Sequence, residues 1–327
     1  MWVILSIAII IGLHLASDTD LLLKYLPFTS DDAHKAFSQK VVWITGASSG
    51  IGAQLARDYA AAGAQVVISA RREDQLNTVG RECSLLGKHP LILPLDVTDY
   101  VAQKEAVSSI IKEYGHIDIL VLNAGRSQRS LALETDLEHT RSLMELNVMS
   151  YIALAKEVGP MMVKRGKGDI VVVGSVAGKT PSPLQSTYSA TKFALQGYFD
   201  VLRSELYQYG VNVLLVCPGP VKSEIVEHAI RAEGESVSGK EVYKQDTKIM
   251  PTDRCTYLIM KALYWRYDEV WISDQPILAI TYLAEYTPGL MRYLMKNFIG
   301  PSRIKAFQDG GSVFDIKLML KNILSGK

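Results

Sequence analysis

Lys40-Val41-Val42-Trp43-Ile44-Thr45-Gly46-Ala47-Ser48-Ser49-Gly50-Ile51-Gly52 decides how the rest of this chain is read. The residues from Lys40 to Ile44 form a short, largely apolar run, as expected of a parallel strand buried on both faces. The glycine-rich stretch leads into Ala53-Gln54-Leu55-Ala56-Arg57-Asp58-Tyr59-Ala60, which has helical composition. Strand, glycine-rich turn and helix in that order present free backbone N–H groups and a helix N-terminus to a phosphate. Gly46 permits the tight turn, Gly50 lets the backbone approach a pyrophosphate, and Gly52 lets helix and strand pack closely. Thr45, Ser48, Ser49 and Ile51 share the turn and count with the glycines as cofactor-binding candidates. The spacing Gly-x-x-x-Gly-x-Gly differs from the more familiar Gly-x-Gly-x-x-Gly.

The second strand narrows the nucleotide. Ala64-Gln65-Val66-Val67-Ile68-Ser69-Ala70-Arg71-Arg72 ends where a ribose 2′-position would lie, roughly twenty residues past the glycines. An NAD site places an acid there to bind the 2′-hydroxyl, whereas this chain has Ala70 and then Arg71 and Arg72. A guanidinium fork suits a 2′-phosphate, so the expected cofactor is NADP(H).

Apolar runs alternate with helix-length amphipathic segments along the chain. Strands are predicted at Val41–Ile44, Val66–Ser69, Leu91–Leu95, Ile119–Leu122, Ile170–Val173, Val213–Cys217 and Val270–Ile272, with helices over Gln103–Tyr114, Ser142–Lys164 and Tyr188–Tyr209. Such alternation predicts an α/β fold: a Rossmann-type, doubly wound parallel sheet in a three-layer α/β/α sandwich. Residues 40–275 make one catalytic domain of ordinary size. No repeat or low-complexity tract divides it.

The net charge of +1 gives no electrostatic case for a nucleic-acid partner. Cys83, Cys217 and Cys255 are dispersed, odd in number and without metal-ligand or redox spacing, so neither a disulfide framework nor a metal site is expected. Residues 1–17 stand apart, because Met1 to Ala16 holds no charged side chain other than a protonatable His14. Such a helix reaches about 24 Å against a bilayer core of about 30 Å. It reads as a short signal-anchor or a cleaved signal peptide; the lack of an Ala-x-Ala-like site and of a basic n-region favours the anchor. The expected setting is therefore a membrane, with membrane lipid as a contact, and the mixed charges that follow leave the orientation open. Residues 18–39 read as a linker. Residues 276–327 form an apolar extension in which Thr287-Pro288-Gly289 splits two aromatic- and Met-rich segments. These form a substrate lid, an interfacial contact or helices packed on the core.

Tyr188-Ser189-Ala190-Thr191-Lys192 places a phenol and an ammonium at i and i+4, on one face of a helix, with Ser175 upstream. A phenol titrates near 10, and an adjacent cation lowers that value by favouring the phenolate. Ser175 supplies a hydroxyl to hold a substrate oxygen beside it. Together these groups suit proton transfer to or from an alcohol or carbonyl.

Thr45-Gly46-x3-Gly50-x-Gly52, Asn123-Ala124-Gly125, Asn147 inside a helix, Ser175, Tyr188-x3-Lys192 and Pro218-Gly219 occur in that order. The set resembles the short-chain dehydrogenases/reductases over roughly residues 40–275. Ser127-Gln128-Arg129-Ser130-Leu131, Cys217-Pro218-Gly219-Pro220-Val221 and Glu269-Val270-Trp271-Ile272-Ser273 narrow the resemblance to one anchored subgroup. The resemblance implies that Tyr188 is the acid/base, that Lys192 lowers its pKa and holds the nicotinamide ribose, and that Ser175 orients the substrate. It further implies that Asn147 holds a proton-relay water and that Asp96 and Val97 contact the adenine. Asn123, Ala124 and Gly125 would turn beside the cofactor, and Pro218, Gly219 and Val221 would face the nicotinamide. Ser223 replaces the family's more usual Thr and keeps the hydroxyl.

The resulting expectation is an NADPH-dependent reductase of lipophilic carbonyls such as retinoids, steroids or xenobiotics. Reverse oxidation, an endoplasmic-reticulum location and a homodimer belong to the same expectation. The competing reading is a nucleotide-binding scaffold at the membrane whose chemistry has been retired.

Overall fold

Neighbouring residues on the central strands leave for opposite sides of the sheet, as the period of two requires. Val42 and Ile44 pack into one apolar layer with Ile68, Val121 and Val216. Val41 and Trp43 pack into the other with Leu120, Val172 and Leu215. Both faces are thus dry, which explains why these strands read as unbroken apolar runs rather than as alternating ones. A computed structural model describes residues 12–223, 229 and 249–308.

The strands are β1 (Val41–Thr45), β2 (Gln65–Ser69), β3 (Leu91–Ile92), β4 (Ile119–Leu122), β5 (Gly168–Val173), β6 (Val211–Pro218) and β7 (Glu269–Ile272). They form one 7-stranded sheet in the order β3-β2-β1-β4-β5-β6-β7, and every neighbouring pair is parallel. One layer receives α3 (Gly50–Ala61), α4 (Glu73–Leu86) and α9 (Thr252–Tyr264) through residues such as Leu55, Leu76 and Leu258. The other receives α5 (Tyr100–Tyr114), α7 (Ser150–Arg165) and α8 (Ser186–Leu206) through Ile110, Leu154 and Phe199. The chain reverses its winding direction between β1 and β4, so a crevice opens at the C-terminal ends of these strands.

Each predicted strand is present, and β3 is shorter than expected. Pro94 has no N–H to donate, and beyond Ile92 only Leu93 and Leu95 donate onward, to the carbonyls of Ile68 and Ala70. The single helix predicted over Ser142–Lys164 is instead α6 (Leu137–Met144), a π turn (Glu145–Met149) and α7.

The stretch expected as a linker differs more. It holds α1 (Leu21–Tyr25) and α2 (Ser30–Phe37), the second opened by a capping box between Thr29 and Asp32. Leu23, Phe28 and Phe37 are buried in the domain core, and Phe28 packs on the rings of Tyr257 and Tyr264. Asp18 pairs with Arg254 at 2.7 Å, and Thr19 bridges antiparallel to Ile272 at the β7 edge. Three well-placed apolar residues outweigh a mostly polar composition, so the segment is part of the domain.

Among the described residues no helix is long and apolar enough to cross a membrane. Residues 1–11, most of the expected anchor, and residues 309–327 of the extension lie outside the described residues. The rest of the extension forms α10 (Ile277–Tyr286), α11 (Pro288–Leu294), a π turn (Met295–Ile299) and α12 (Gly300–Gln308). Met291 and Ile299 centre a small apolar cluster of their own.

Candidate active site

The crevice is a cavity of 470 Å³ that runs from the β1 glycine turn, past α8, to the C-terminal helices. That size is ordinary for a small-molecule or cofactor site.

At its first end the turn after β1 is held by side chains spent on backbone. Thr45 donates through Oγ1 to the Val121 carbonyl and accepts from the N–H groups of Asn123 and Ala124. The Asn123 amide donates to the carbonyls of Thr45 and Gly46. Gly46 has φ of +66°, and a Cβ there would stand 2.7 Å from the Ala124 Cα. Only glycine satisfies both the backbone angle and the close approach. Helix α3 starts at Gly50, so the N–H groups of its first turn face the cavity.

Gly46, Ser48, Ser49, Gly50 and Ile51 line the cavity, together with Arg71, Arg72, Asp96, Val97, Asn123, Ala124, Gly125, Pro218, Gly219, Val221 and Ser223. Thr45 and Gly52, expected as cofactor contacts, stand behind the wall instead. Thr45 is fully buried and committed to the loops, and Gly52 is pressed against Gly46 and Asn123 with no room for a side chain. Both shape the turn rather than face it.

Arg72 donates through Nη2 to Ser49 Oγ at 2.9 Å and Ser48 Oγ at 3.2 Å, which ties the end of β2 to the turn. Arg71 lies 3.8 Å from Asp96. The nearby charge of Arg71, after burial, pushes Arg126 below its ordinary pKa. A glycine-rich turn, a helix N-terminus and clustered guanidiniums and hydroxyls make a donor set that fits a phosphorylated nucleotide.

Tyr188 and Lys192 sit on the buried face of α8 and line the middle of the cavity with Ser175. Lys192 donates through Nζ to the Val173 carbonyl at 3.0 Å and stands 5.6 Å from the Tyr188 ring centroid. Burial pushes Lys192 down to about 8. Burial also pushes the Tyr188 phenol up, against the opposing pull of a Ser175 hydrogen bond and the Arg129 charge. The lowering expected from the Tyr188–Lys192 spacing is therefore not the net result. Desolvation of the phenolate wins, and the phenol stays protonated at neutral pH.

Asn147 is fully buried in the π turn. Its Oδ1 accepts from the Arg126 N–H, and its Nδ2 donates to the Arg126 carbonyl and to Thr191 Oγ1. The residue thus staples the loop after β4 to α8, from a local distortion of the kind that recurs at functional sites. It does not itself line the cavity.

Gln128, which carries no functional signal in the sequence, positions the catalytic helix. Helix α8 begins without a side-chain cap of its own. Gln128 Oε1 accepts from the N–H groups of Thr187 (2.8 Å) and Tyr188 (3.2 Å), while its Nε2 donates to Thr135 Oγ1. A remote amide therefore fixes the turn that carries Tyr188. No local pattern announces it, because its partners lie far along the chain.

A family model described as short chain dehydrogenase matches residues 40–234. Dehydrogenase/reductase SDR family member 7 of Homo sapiens is 39% identical over 320 residues, covering 95% of this chain and 94% of that one. It falls in the subgroup to which the Ser127–Leu131 and Glu269–Ser273 segments point. A metagenomic short-chain oxidoreductase solved in complex with NADP superposes with a TM-score of 0.60 at 26% identity, covering 72% of this chain and 97% of that one. A short chain dehydrogenase/reductase from Burkholderia phymatum solved in complex with NAD gives a TM-score of 0.68 over 78% of this chain and 95% of that one; at 23% identity it supports the fold alone.

Proposed function

The chain belongs to the short-chain dehydrogenase/reductase family of oxidoreductases, and from that premise we propose an NADPH-dependent reductase of carbonyls on lipophilic substrates, able to run in reverse. The observation that carries this reading is Tyr188: a buried, protonated phenol beside Ser175, with Lys192 under its ring, midway along one cavity. A bound nicotinamide supplies or takes up a hydride. A carbonyl oxygen under reduction gains negative charge and needs a proton, which the Tyr188 hydroxyl is placed to donate. Ser175 Oγ orients the same oxygen. Lys192, near 8, is balanced to release and regain a proton, and a water held near Asn147 would resupply it from solvent. Burial keeps Tyr188 in its acid form, which suits the reductive direction.

NADPH is favoured over NADH by Arg71 and Arg72 following Ala70, where a 2′-hydroxyl would otherwise want an acid. The metagenomic relative, solved in complex with NADP, favours the same choice. Residues 1–17 would anchor the protein at the endoplasmic-reticulum membrane. Leu22 and Tyr25, a few residues further along the chain, are 70% and 60% exposed, apolar surface that a membrane interface would cover. Flotation with liposomes should separate the full chain from a truncation starting at Asp18, and equal flotation would remove the anchor. A homodimer is part of the same reading, tested by sedimentation.

The deciding experiment incubates purified protein and NADPH with retinoid, steroid and xenobiotic carbonyls. Wild type should consume NADPH with at least one, and Tyr188→Phe should not while still binding NADPH. Equal inertness of both across the panel would favour a retired scaffold.

A further inference from the structure

The hairpin of α10 and α11 faces two ways. Toward the protein, Ile277, Ile280 and Met291 wall the substrate end of the cavity. Around the Thr287-Pro288-Gly289 junction, Tyr286 is 74% exposed, Tyr293 58% and Leu290 50%. The hairpin's own apolar cluster runs through Met291, Ile299, Ile280 and Leu283 and leaves these three side chains out. Met291 faces the cavity while Leu290 beside it faces outward, so one layer of helix separates the two.

The N-terminal end of the described chain lies beside the same surface. The His14 ring meets that of Tyr282 at 4.3 Å, and Tyr282 stacks on Tyr286 at 6.1 Å. Gln275, just before α10, donates to the carbonyls of His14 and Ser17, each at 3.0 Å. Leu13 and Leu15 flank His14 and are themselves exposed. Residues 1–11, uncharged and mostly apolar, are thus joined to the domain next to the hairpin.

Exposed tyrosines around a leucine are a side-chain set suited to a membrane interface, where the ring body enters the headgroup layer and the hydroxyl stays wet. Arg292 and Lys296 are exposed on the same stretch, and such side chains lay their stems along apolar surface with the cation among lipid phosphates. Glu285, the nearest acid in sequence, is drawn back toward the buried Lys179 at 3.8 Å. A protein partner would account for the exposed rings alone. A bilayer accounts for the rings, the cations and the apolar segment that joins the domain beside them.

We propose that the outer face of the α10–α11 hairpin docks on a lipid bilayer and holds the substrate end of the cavity against the membrane surface. The inference rests on the anchored-reductase reading and deepens it: residues 1–17 keep the chain at the bilayer, and the hairpin sets which side of the domain faces it. A lipophilic carbonyl dissolved in the bilayer then lies one helix layer from the cavity.

Site-selective labelling tests the docking without turnover. Cys83, Cys217 and Cys255 are buried, so an introduced surface cysteine takes a thiol-reactive, environment-sensitive dye selectively. The full chain carrying Tyr286→Cys, Leu290→Cys or Tyr293→Cys is labelled and mixed with phosphatidylcholine vesicles containing doxyl-labelled lipid. Leu85→Cys, exposed on α4 at the opposite edge of the sheet, is the control. On vesicles the hairpin labels should shift their emission to the blue, be quenched by the doxyl lipid and lose access to iodide in the water. The Leu85 label should keep its solution spectrum and its iodide quenching. Hairpin labels as wet as the control on vesicle-bound protein overturn the docking and leave the anchor standing. A full chain that does not bind vesicles overturns both. Iodide shielding of the hairpin labels before vesicles are added also overturns the docking, because another part of the chain or a second copy then covers this face. All three sites are exposed, so loss of fold in one variant leaves the other two to decide.

Discussion

At the nucleotide end of the cavity the wall is built on the turns at the C-terminal ends of β1, β2 and β4, glycine backbone with a few polar side chains on it; at the substrate end it is mostly apolar side chains, from α10 to α12 and the loop after β4. A backbone wall needs glycine where the chain bends and comes close, as at Gly46, and the demand falls on fixed sequence spacings. A side-chain wall needs only apolar volume and a few charges, which many sequences supply. The first kind of wall is suited to one conserved shape of ligand, and the second to a ligand that differs from protein to protein. Tyr188 stands where the two meet.

The contrast can be broken at the junction. Lys192→Met should lower reductive kcat by roughly 10²–10⁴, the range for loss of positioned acid/base support, while Kd for NADPH changes far less. A loss confined to cofactor binding would move Lys192 wholly to the nucleotide side. Next in size, Arg72→Ala should weaken NADPH relative to NADH by roughly ten- to a hundredfold, read by titrating protein fluorescence with each cofactor. An unchanged preference would remove Arg72 from cofactor choice.

The pH profile sharpens the comparison further. Burial holds Lys192 at about 8, below its ordinary value, so its ammonium is present below that pH and lost above it. Reductive kcat should therefore be steady through neutrality and fall as pH rises past about 8. A profile flat well beyond that point would show that the ammonium is not needed. The smallest effect is expected at Gln128→Ala, which strands two N–H groups at the start of α8. Stability should fall by about 1–3 kcal/mol in chemical denaturation, with kcat reduced because Tyr188 is held less firmly. An unaltered denaturation midpoint would mean that α8 is capped without it.

The nucleotide end was legible in the sequence because its requirements are local. Gly46, Gly50, Arg71 and Arg72 fall next to one another along β1, β2 and their turns, and strands buried on both faces announce themselves as apolar runs. Even there the spacing predicts contacts at Thr45 and Gly52, which instead stand behind the cavity wall, since spacing does not say which side of a turn a residue faces. Asn147 was placed in a helix, and the π turn around it was invisible because its residues are ordinary helix formers. The reach of Gln128 to α8, of Arg303 to the cavity and of Phe28 to Tyr257 depends on packing between distant segments. Residues 18–39 show the same limit: a polar composition hid three anchoring side chains.

The most direct test of Tyr188 as the proton donor of a carbonyl reductase is NADPH consumption by wild type and Tyr188→Phe over one panel of lipophilic carbonyls, alongside NADPH binding to each. The expected result is turnover by wild type on at least one compound, a loss of roughly 10²–10⁴ in the variant, and similar NADPH affinity in both. Turnover that persists in Tyr188→Phe would contradict it.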